Sequence, residues 1–439
     1  MLPICDYFIK FKGALKMELS LSTFEVKGVD FGKKTELKEG ILIVNSLELE
    51  NLLKEDADIE EVKINLAKPG DKKRVVHVLD VLKPVYKVDG RGSAFAGVLG
   101  EPVTVGTGKT HQLNGVTVMM TGNFEQASDP ILRVRETIVD MSGYTAKYSP
   151  FSLLNHVVIS IKTRKNIDLK RADQAVRVAG AKAASFLASK SVGLKPNKIE
   201  NLSLKTFKPD LPKICVILQC ASIGTLFDTY LYGRTVDGIL PTLVHMNEMI
   251  DGAVTSDEYF YGGQRNPTYI YQDNPLVKEL YHRSGVDLNF VGVVLTRGYY
   301  NTLADKRRAA SYCAKLAQML GADGAVITIE SGGNSHTDAM LTCQECEKQG
   351  VNTVLIVGEM GDANSTDYSL VDYVPEANAM VSVGNREVLI SIPEIDEVIG
   401  GETMMDTNTP CRNEQDIPLH NFLCVNSQVG AWNISMDSF

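Results

Sequence analysis

From Lys213 onward the chain alternates uninterrupted apolar runs with helix-like segments, and this alternation restricts its fold more than any other feature. Residues 214–218, 290–295, 325–329 and 353–357 are continuous apolar runs. Between them, 302–320 places Ala309, Cys313, Leu316, Ala317 and Leu320 on one helical face and stops at Gly321. Residues 336–348 predict another helix, ended by Gly350. Strands that are apolar on both sides and joined by helical crossovers require a parallel sheet covered on both faces. The prediction is a doubly wound α/β domain over 213–400. Ligands bind beyond the carboxyl ends of the strands of such a sheet. A site is therefore expected among the loops 219–225, 296–301, 330–335 and 358–365. The third of these opens a helix, where the backbone N–H groups of Gly332, Gly333 and Asn334 suit a carboxylate or a phosphate. The same glycines serve equally to reverse the chain.

The N-terminal third reads as β-rich. Residues 19–29, 40–44, 75–82 and 115–121 are short β-branched runs bounded by Gly, Asp, Asn and Lys, and 89–108 is a glycine-rich loop. Residues 168–192 predict an amphipathic helix with Ala172, Ala175, Val176, Ala179, Ala183, Phe186 and Leu187 on one stripe, stopped by Gly193. Its small alanines imply close packing. The reading divides the chain into a leader over 1–16 and a β-rich domain over 17–150. A helix and linker follow over 151–212, with the linker at 194–212, then the α/β substrate domain over 213–400 and a tail over 401–439.

Forty-five Lys+Arg stand against 54 Asp+Glu, a net charge of -9 with no basic cluster. That balance disfavours nucleic-acid and anionic-membrane binding. No apolar stretch reaches the ~18 residues of a spanning helix, and the first residues lack a secretory cleavage pattern. A cytoplasmic location is expected. The eight cysteines are too sparse for a disulfide scaffold. Cys343 and Cys346 form a C-x-x-C pair inside a helix-like run, without the second pair that zinc needs, and are read as structural. Gly106 to Thr110 imitates a phosphate-binding loop, but Val103 stands where its first glycine belongs and no helix follows.

An aromatic-dense middle remains, with Tyr230, Tyr232, Tyr259, Phe260, Tyr261, Tyr269, Tyr271, Tyr299 and Tyr300. Tyrosine faces attract cations too alkylated to hydrogen-bond. Tyrosines also line domain and subunit interfaces.

Several segments together carry a resemblance. They are Phe227-Asp228-Thr229-Tyr230-Leu231-Tyr232-Gly233, Pro241-Thr242-Leu243, Met249-Ile250-Asp251-Gly252-Ala253, Met141-Ser142-Gly143 and Tyr148-Ser149-Pro150-Phe151-Ser152. Asp287-Leu288-Asn289-Phe290-Val291-Gly292-Val293, Lys315-Leu316-Ala317 and Leu320-Gly321-Ala322-Asp323-Gly324-Ala325 belong with them. From about residue 17 to about residue 400 the chain resembles the glycine/sarcosine/betaine reductase component B family. The resemblance implies a reductase subunit that cleaves a C–N bond together with a selenocysteine-containing component B subunit and the component A selenoprotein, as a hetero-oligomer. Glycine-specific members resemble proproteins, cut before an internal cysteine that becomes a pyruvoyl group. That carbonyl forms a Schiff base with the substrate amine.

At the position of the cleaved cysteine this sequence has Tyr259, and no cysteine occurs from 221 to 312. Tyrosine has no β-leaving group for pyruvoyl formation, so an uncut chain without a pyruvoyl cofactor is expected. A quaternary ammonium cannot form a Schiff base and needs none, because it leaves as a neutral amine. Tyr259, Phe260 and Tyr261 at that position, with Tyr230, suggest a cage for glycine betaine. Arg265 and the Gly332-Gly333-Asn334 turn are candidates for its carboxylate. Asp228, Asp251 and His245 lie in the resembling segments, where Asp228 also suits a helix cap and Asp251 a turn. No catalytic nucleophile is expected in this chain. Carnitine or sarcosine as substrate, and a non-catalytic structural or sensor role, are compatible alternatives.

Overall fold

The computed structural model describes residues 17–122, 136–203, 205–223, 228–257, 262–362, 370–405 and 407–431. In the N-terminal half the strands of the two largest sheets are β1 (Leu19–Glu25), β2 (Ile59–Ala67), β3 (Val78–Leu82), β4 (Val85–Asp89), β5 (Gly108–Asn114), β6 (Val116–Gly122), β7 (Asn155–Thr163) and β8 (Lys198–Leu202). The helices there are α1 (Ser46–Leu53) and α2 (Leu169–Ser189). Two four-stranded sheets form, in the orders β8-β1-β5-β4 and β2-β7-β6-β3. The alanine stripe of α2 is buried against them, with Ala172, Ala175, Ala179 and Ala183 in the same core as Leu82, Leu113, Val118 and Ile159. At Gly180 an added Cβ would stand 3.0 Å from Leu82 and 3.1 Å from Met120, which shows how closely the helix approaches the sheet.

The segment expected to link the halves contains β8, which runs antiparallel to β1 from Leu19↔Leu202 to Thr23↔Lys198. Its polar sequence is that of an edge strand exposed on one side.

The second half contains β9 (Lys213–Cys220), β10 (Thr229–Leu231), β11 (Thr242–Val244), α3 (Met246–Ile250), β12 (Val254–Ser256), α4 (Thr268–Gln272) and α5 (Pro275–Arg283). Then come β13 (Asn289–Arg297), α6 (Leu303–Met319), β14 (Gly324–Ile329), α7 (Asn334–Lys348), β15 (Asn352–Glu359) and β16 (Met380–Asn385). Its six-stranded sheet has the order β11-β13-β9-β14-β15-β16. β13, β9, β14, β15 and β16 run parallel to their neighbours, and only the edge pair β11/β13 is antiparallel. Numbered along the chain, the five parallel strands lie in the order 2-1-3-4-5, a doubly wound arrangement. The α/β fold expected from the apolar runs is present. Cys215, Cys313, Cys343 and Cys346 are buried in the core shared by α6, α7 and the sheet.

The halves are packed together. Val78, Met119 and Val158 share a core with Val216, Leu218 and Leu295. Residues beyond 400 return to the first half, where Arg74 pairs with Asp140 at 2.6 Å and donates to the Cys411 carbonyl at 2.8 Å. Among the described residues no helix is long and apolar enough to cross a membrane.

Candidate functional site

In the order 2-1-3-4-5 the crossovers leave β9 and β14 in opposite directions, and the crevice that results lies beyond the carboxyl ends of these strands. Their ends are Cys220 and Ile329, and Glu330 follows directly. Glu330 Oε2 accepts the Ala221 N–H at 2.6 Å. Its Oε1 accepts the Tyr271 hydroxyl at 2.5 Å and the Asn266 N–H at 3.2 Å. One carboxylate therefore joins the first and third parallel strands to the long connection over 221–288.

Arg265, fully buried, approaches Glu330 Oε2 at 3.4 Å. Its Nη2 donates to Ser256 Oγ at 3.1 Å, to the Asp257 carbonyl at 3.1 Å and to the Asp228 carbonyl at 3.3 Å. Asp257 Oδ1 lies 3.9 Å from the same guanidinium and accepts the Asp228 N–H. Ser222 Oγ donates to Asp228 Oδ1 at 2.6 Å.

Helix α2 reaches this cluster from the other half. The Tyr230 hydroxyl stands 3.2 Å from Asp173 Oδ2 and 3.3 Å from Asp257 Oδ2. Arg177 Nε donates to Asp173 at 2.9 Å, and its guanidinium lies 3.7 Å from the Tyr230 ring centroid. Asp173, Asp228, Asp257 and Glu330 thus surround two guanidinium groups. Burial pushes the Asp257 carboxyl well above its ordinary range, and repulsion from Asp173 and Asp228 adds to this. Burial also raises the Tyr230 and Tyr271 phenols, which stay protonated as donors. Burial opposes the charge on Arg177, yet Asp173 holds its pKa above the ordinary value.

The structure brings Asp228, Tyr230 and Arg265 into one cluster. Asp228 precedes the strand β10 rather than capping a helix. Tyr230 has one ring face covered by Arg177. Tyr259, Phe260 and Tyr261 lie outside the described residues, between Asp257 and Gly262. The Gly332-Gly333-Asn334 turn stands at the same strand ends. Gly333 has φ 73° at the start of α7, and a Cβ on Gly332 would lie 2.7 Å from Met360 Sδ, so that thioether fills the space beside it. Tyr299 donates its hydroxyl to the Gly332 carbonyl at 3.0 Å, and Arg386 Nη1 donates to Gln264 at 3.0 Å and to Ser331 Oγ at 3.3 Å.

His245 and Asp251 bracket α3 instead. His245 Nδ1 accepts the Asn247 N–H at 3.1 Å, and the His245 backbone N–H donates to Glu248 Oε2 at 2.7 Å. Asp251 accepts Lys87 Nζ at 2.5 Å, Thr110 Oγ1 at 2.5 Å and the Gly106 N–H at 2.8 Å. The glycine-rich 106–110 segment is thereby docked onto a carboxylate.

Sequence reasoning did not find Asp173, Arg177, Asp257 or Glu330. Asp173 and Arg177 have the i,i+4 spacing of a solvent-facing ion pair, and only their place beside the alanine stripe hints otherwise. Among the described residues, no group of His, Cys, Asp and Glu could hold a metal ion.

A family model described as glycine/sarcosine/betaine reductase component B subunits matches residues 17–429. The sarcosine reductase complex component B subunit alpha of Peptoclostridium acidaminophilum is 36% identical over 408 residues, covering 91% of this chain and 94% of that protein. The glycine reductase complex component B subunits alpha and beta of the same organism are 34% identical, covering 89% and 91%. Its betaine reductase complex component B subunit alpha is 30% identical, covering 88% of each. No solved structure matches. With the model spanning nearly the whole chain and relatives of this similarity aligned end to end, the chain belongs to the family of glycine/sarcosine/betaine reductase component B subunits.

Proposed function

We propose that this chain is the substrate-binding subunit of a component B acting on an N-methylated glycine, with glycine betaine as the substrate, and that it works uncut and without a pyruvoyl group. The observation that carries this reading is the absence of any cysteine from 221 to 312, with Tyr259 where the resemblance puts the cleaved cysteine. A carbonyl cofactor activates an amine by forming an imine, which a quaternary nitrogen cannot do. In keeping with this, the glycine reductase relative is described as subunits alpha and beta, and the betaine and sarcosine relatives as subunit alpha alone.

In this reading the excess of carboxylates around Asp257 complements the ammonium. Arg265 and the Gly332-Gly333-Asn334 turn, with Arg386 beside it, complement the substrate carboxylate. The role of the chain is to orient the α-carbon between nucleophile and leaving group. A selenolate on the partner subunit, working with this chain in the cytoplasm, attacks that carbon. The C–N electron pair leaves with nitrogen as trimethylamine, and the carboxymethyl group left on selenium passes to component A.

Intact-protein mass spectrometry with calorimetric titration tests the proposal. One species near 48.1 kDa that binds betaine but not glycine is expected. Two fragments, or a carbonyl at a new N-terminus, would return the chain to the pyruvoyl mechanism. The 36% identity to the sarcosine relative favours sarcosine as a second reading. Tighter binding of sarcosine than of betaine in the same titration would select it.

A further inference from the structure

Asp173 and Arg177 belong to α2, in the N-terminal half, yet their side chains end beside Asp257, two residues before the family's cleavage position. An i,i+4 pair on a helix surface contributes about 0.2–0.5 kcal/mol and faces water. This one is enclosed, with side chains 2% and 12% exposed for Asp173 and Arg177. Between the pair and Asp257 stands Tyr230. Its single hydroxyl proton faces two carboxylates at 3.2 and 3.3 Å and can serve only one at a time. The guanidinium that covers the Tyr230 ring donates to Asp173 Oδ2, the same oxygen that faces the phenol, so ring and hydroxyl are held by one ion pair.

We infer that Asp173 and Arg177 are positioning residues of the substrate site, which act through Tyr230 to set the place and the charge of Asp257. The inference rests on the reading of Asp257 as part of the surroundings of the substrate ammonium. The groups facing Asp257 are Asp173 and Arg177 from α2, Tyr230 from β10, Asp228 just before it, and Arg265 from the connection to α4. An ammonium binds the ionised form of Asp257, so affinity rises with pH as that carboxyl loses its proton. Removing the negative charge of Asp173 lets Asp257 ionise at lower pH. Removing the positive charge of Arg177 delays ionisation to higher pH. The two substitutions therefore displace one profile in opposite directions, which a purely structural pair would not do.

The test uses the full-length chain and its variants D173N, R177M, R177K and Y230F. Betaine, sarcosine and glycine are titrated calorimetrically between about pH 5 and about pH 9, a range that begins above the ordinary carboxyl value. D173N is expected to shift the affinity profile of whichever amine binds to lower pH, and R177M to higher pH. R177K keeps the charge and so keeps the wild-type profile. Y230F retains the ring under Arg177 but loses the bridge, and is expected to weaken binding about tenfold at neutral pH, the loss of one hydrogen bond to a charged group. Thermal unfolding of each variant separates these effects from misfolding. Parallel shifts, or unchanged profiles alongside lowered melting temperatures, overturn the inference. A wild-type chain that binds none of the three amines would sink the functional reading instead. Carbon-13 NMR titration of Asp257 then decides the positioning role by itself: opposite shifts in D173N and R177M sustain it, and absence of both overturns it.

Discussion

Arg74 and Arg265 are both fully buried beside carboxylates, but their surroundings differ. Arg74 grips both oxygens of Asp140 at 2.6 and 3.0 Å and spends its other bonds on the carbonyls of Cys411 and Pro393. One charge meets one opposite charge in bidentate geometry, and Thr145 also donates to Asp140. Arg265 stands 3.4 Å from Glu330 and 3.9 Å from Asp257, and with Arg177 it faces four carboxylates. A buried pair that only fastens the fold is stable when short and neutral. Long contacts with an excess of one sign cost stability, and under the function proposed above a site that receives an ammonium has reason to keep them.

Breaking the fastening pair should have the largest effect. R74M leaves Asp140 buried without its partner and is expected to cost about 3–5 kcal/mol in denaturant unfolding. A cost under about 1 kcal/mol would show that the pair does not fasten the fold. D257N should do the reverse. Removing a carboxyl from an over-supplied cluster is expected to change unfolding by less than about 1 kcal/mol, while betaine affinity measured by calorimetry falls at least tenfold. Destabilisation as large as that of R74M would erase the distinction between the two regions.

Acid sharpens the comparison from the other side. Burial depresses His77, His156 and His245 to about 4, and backbone acceptors for His77 and His156 offset this only in part. A histidine kept neutral in the fold stabilises it fully above its unfolded value, and that contribution is lost as pH falls from about 6.5 towards about 4. Each can add a slope of up to about 1.4 kcal/mol per pH unit in that window. Asp80 acts oppositely. Burial raises it to about 7, against hydrogen bonds from Thr268 and Val81, so the folded state holds its proton longer than the unfolded chain does. Its contribution therefore declines as pH rises from about 4 to about 7. Urea unfolding at pH 7 and pH 5 should show a net acid loss, steeper in D80N. A flatter profile in D80N would contradict the assignment.

The turn gives smaller stability effects than the Arg74 pair. In G332A the new methyl meets the end of a flexible Met360, so a melting change of a few degrees at most is expected, corresponding to less than about 1 kcal/mol. G333A, at φ 73°, should cost about 1–2 kcal/mol. If G332A nevertheless abolishes betaine binding, the turn touches the ligand.

The parallel sheet was legible because its strands are apolar on both faces, and α2, α6 and α7 because their stripes end at glycines or polar caps. The carboxyl-end rule then located the loop 330–335 and its turn, without singling out the Glu330 carboxylate. The strand β8 was not legible. Its alternation is polar and its partner, β1, is remote in sequence, with Leu19 set opposite Leu202 and Thr23 opposite Lys198. The charge cluster was half legible. Asp228, Tyr230 and Arg265 fall in one stretch of chain, but Asp173 and Arg177 come from a helix whose periodicity describes packing and says nothing of which polar residues are enclosed.

The bond from Arg74 to Cys411 spans 337 residues. During synthesis on a ribosome, Arg74 and Asp140 emerge long before the Cys411 carbonyl exists, so this contact can form only after more than 300 further residues have been made. Contacts of such long range slow folding and prolong exposure of unfinished surfaces. Arg74 therefore gains this contact late in its biogenesis, and removal of residues 401–431, which include Cys411, should be felt first near residue 74, far from the cut.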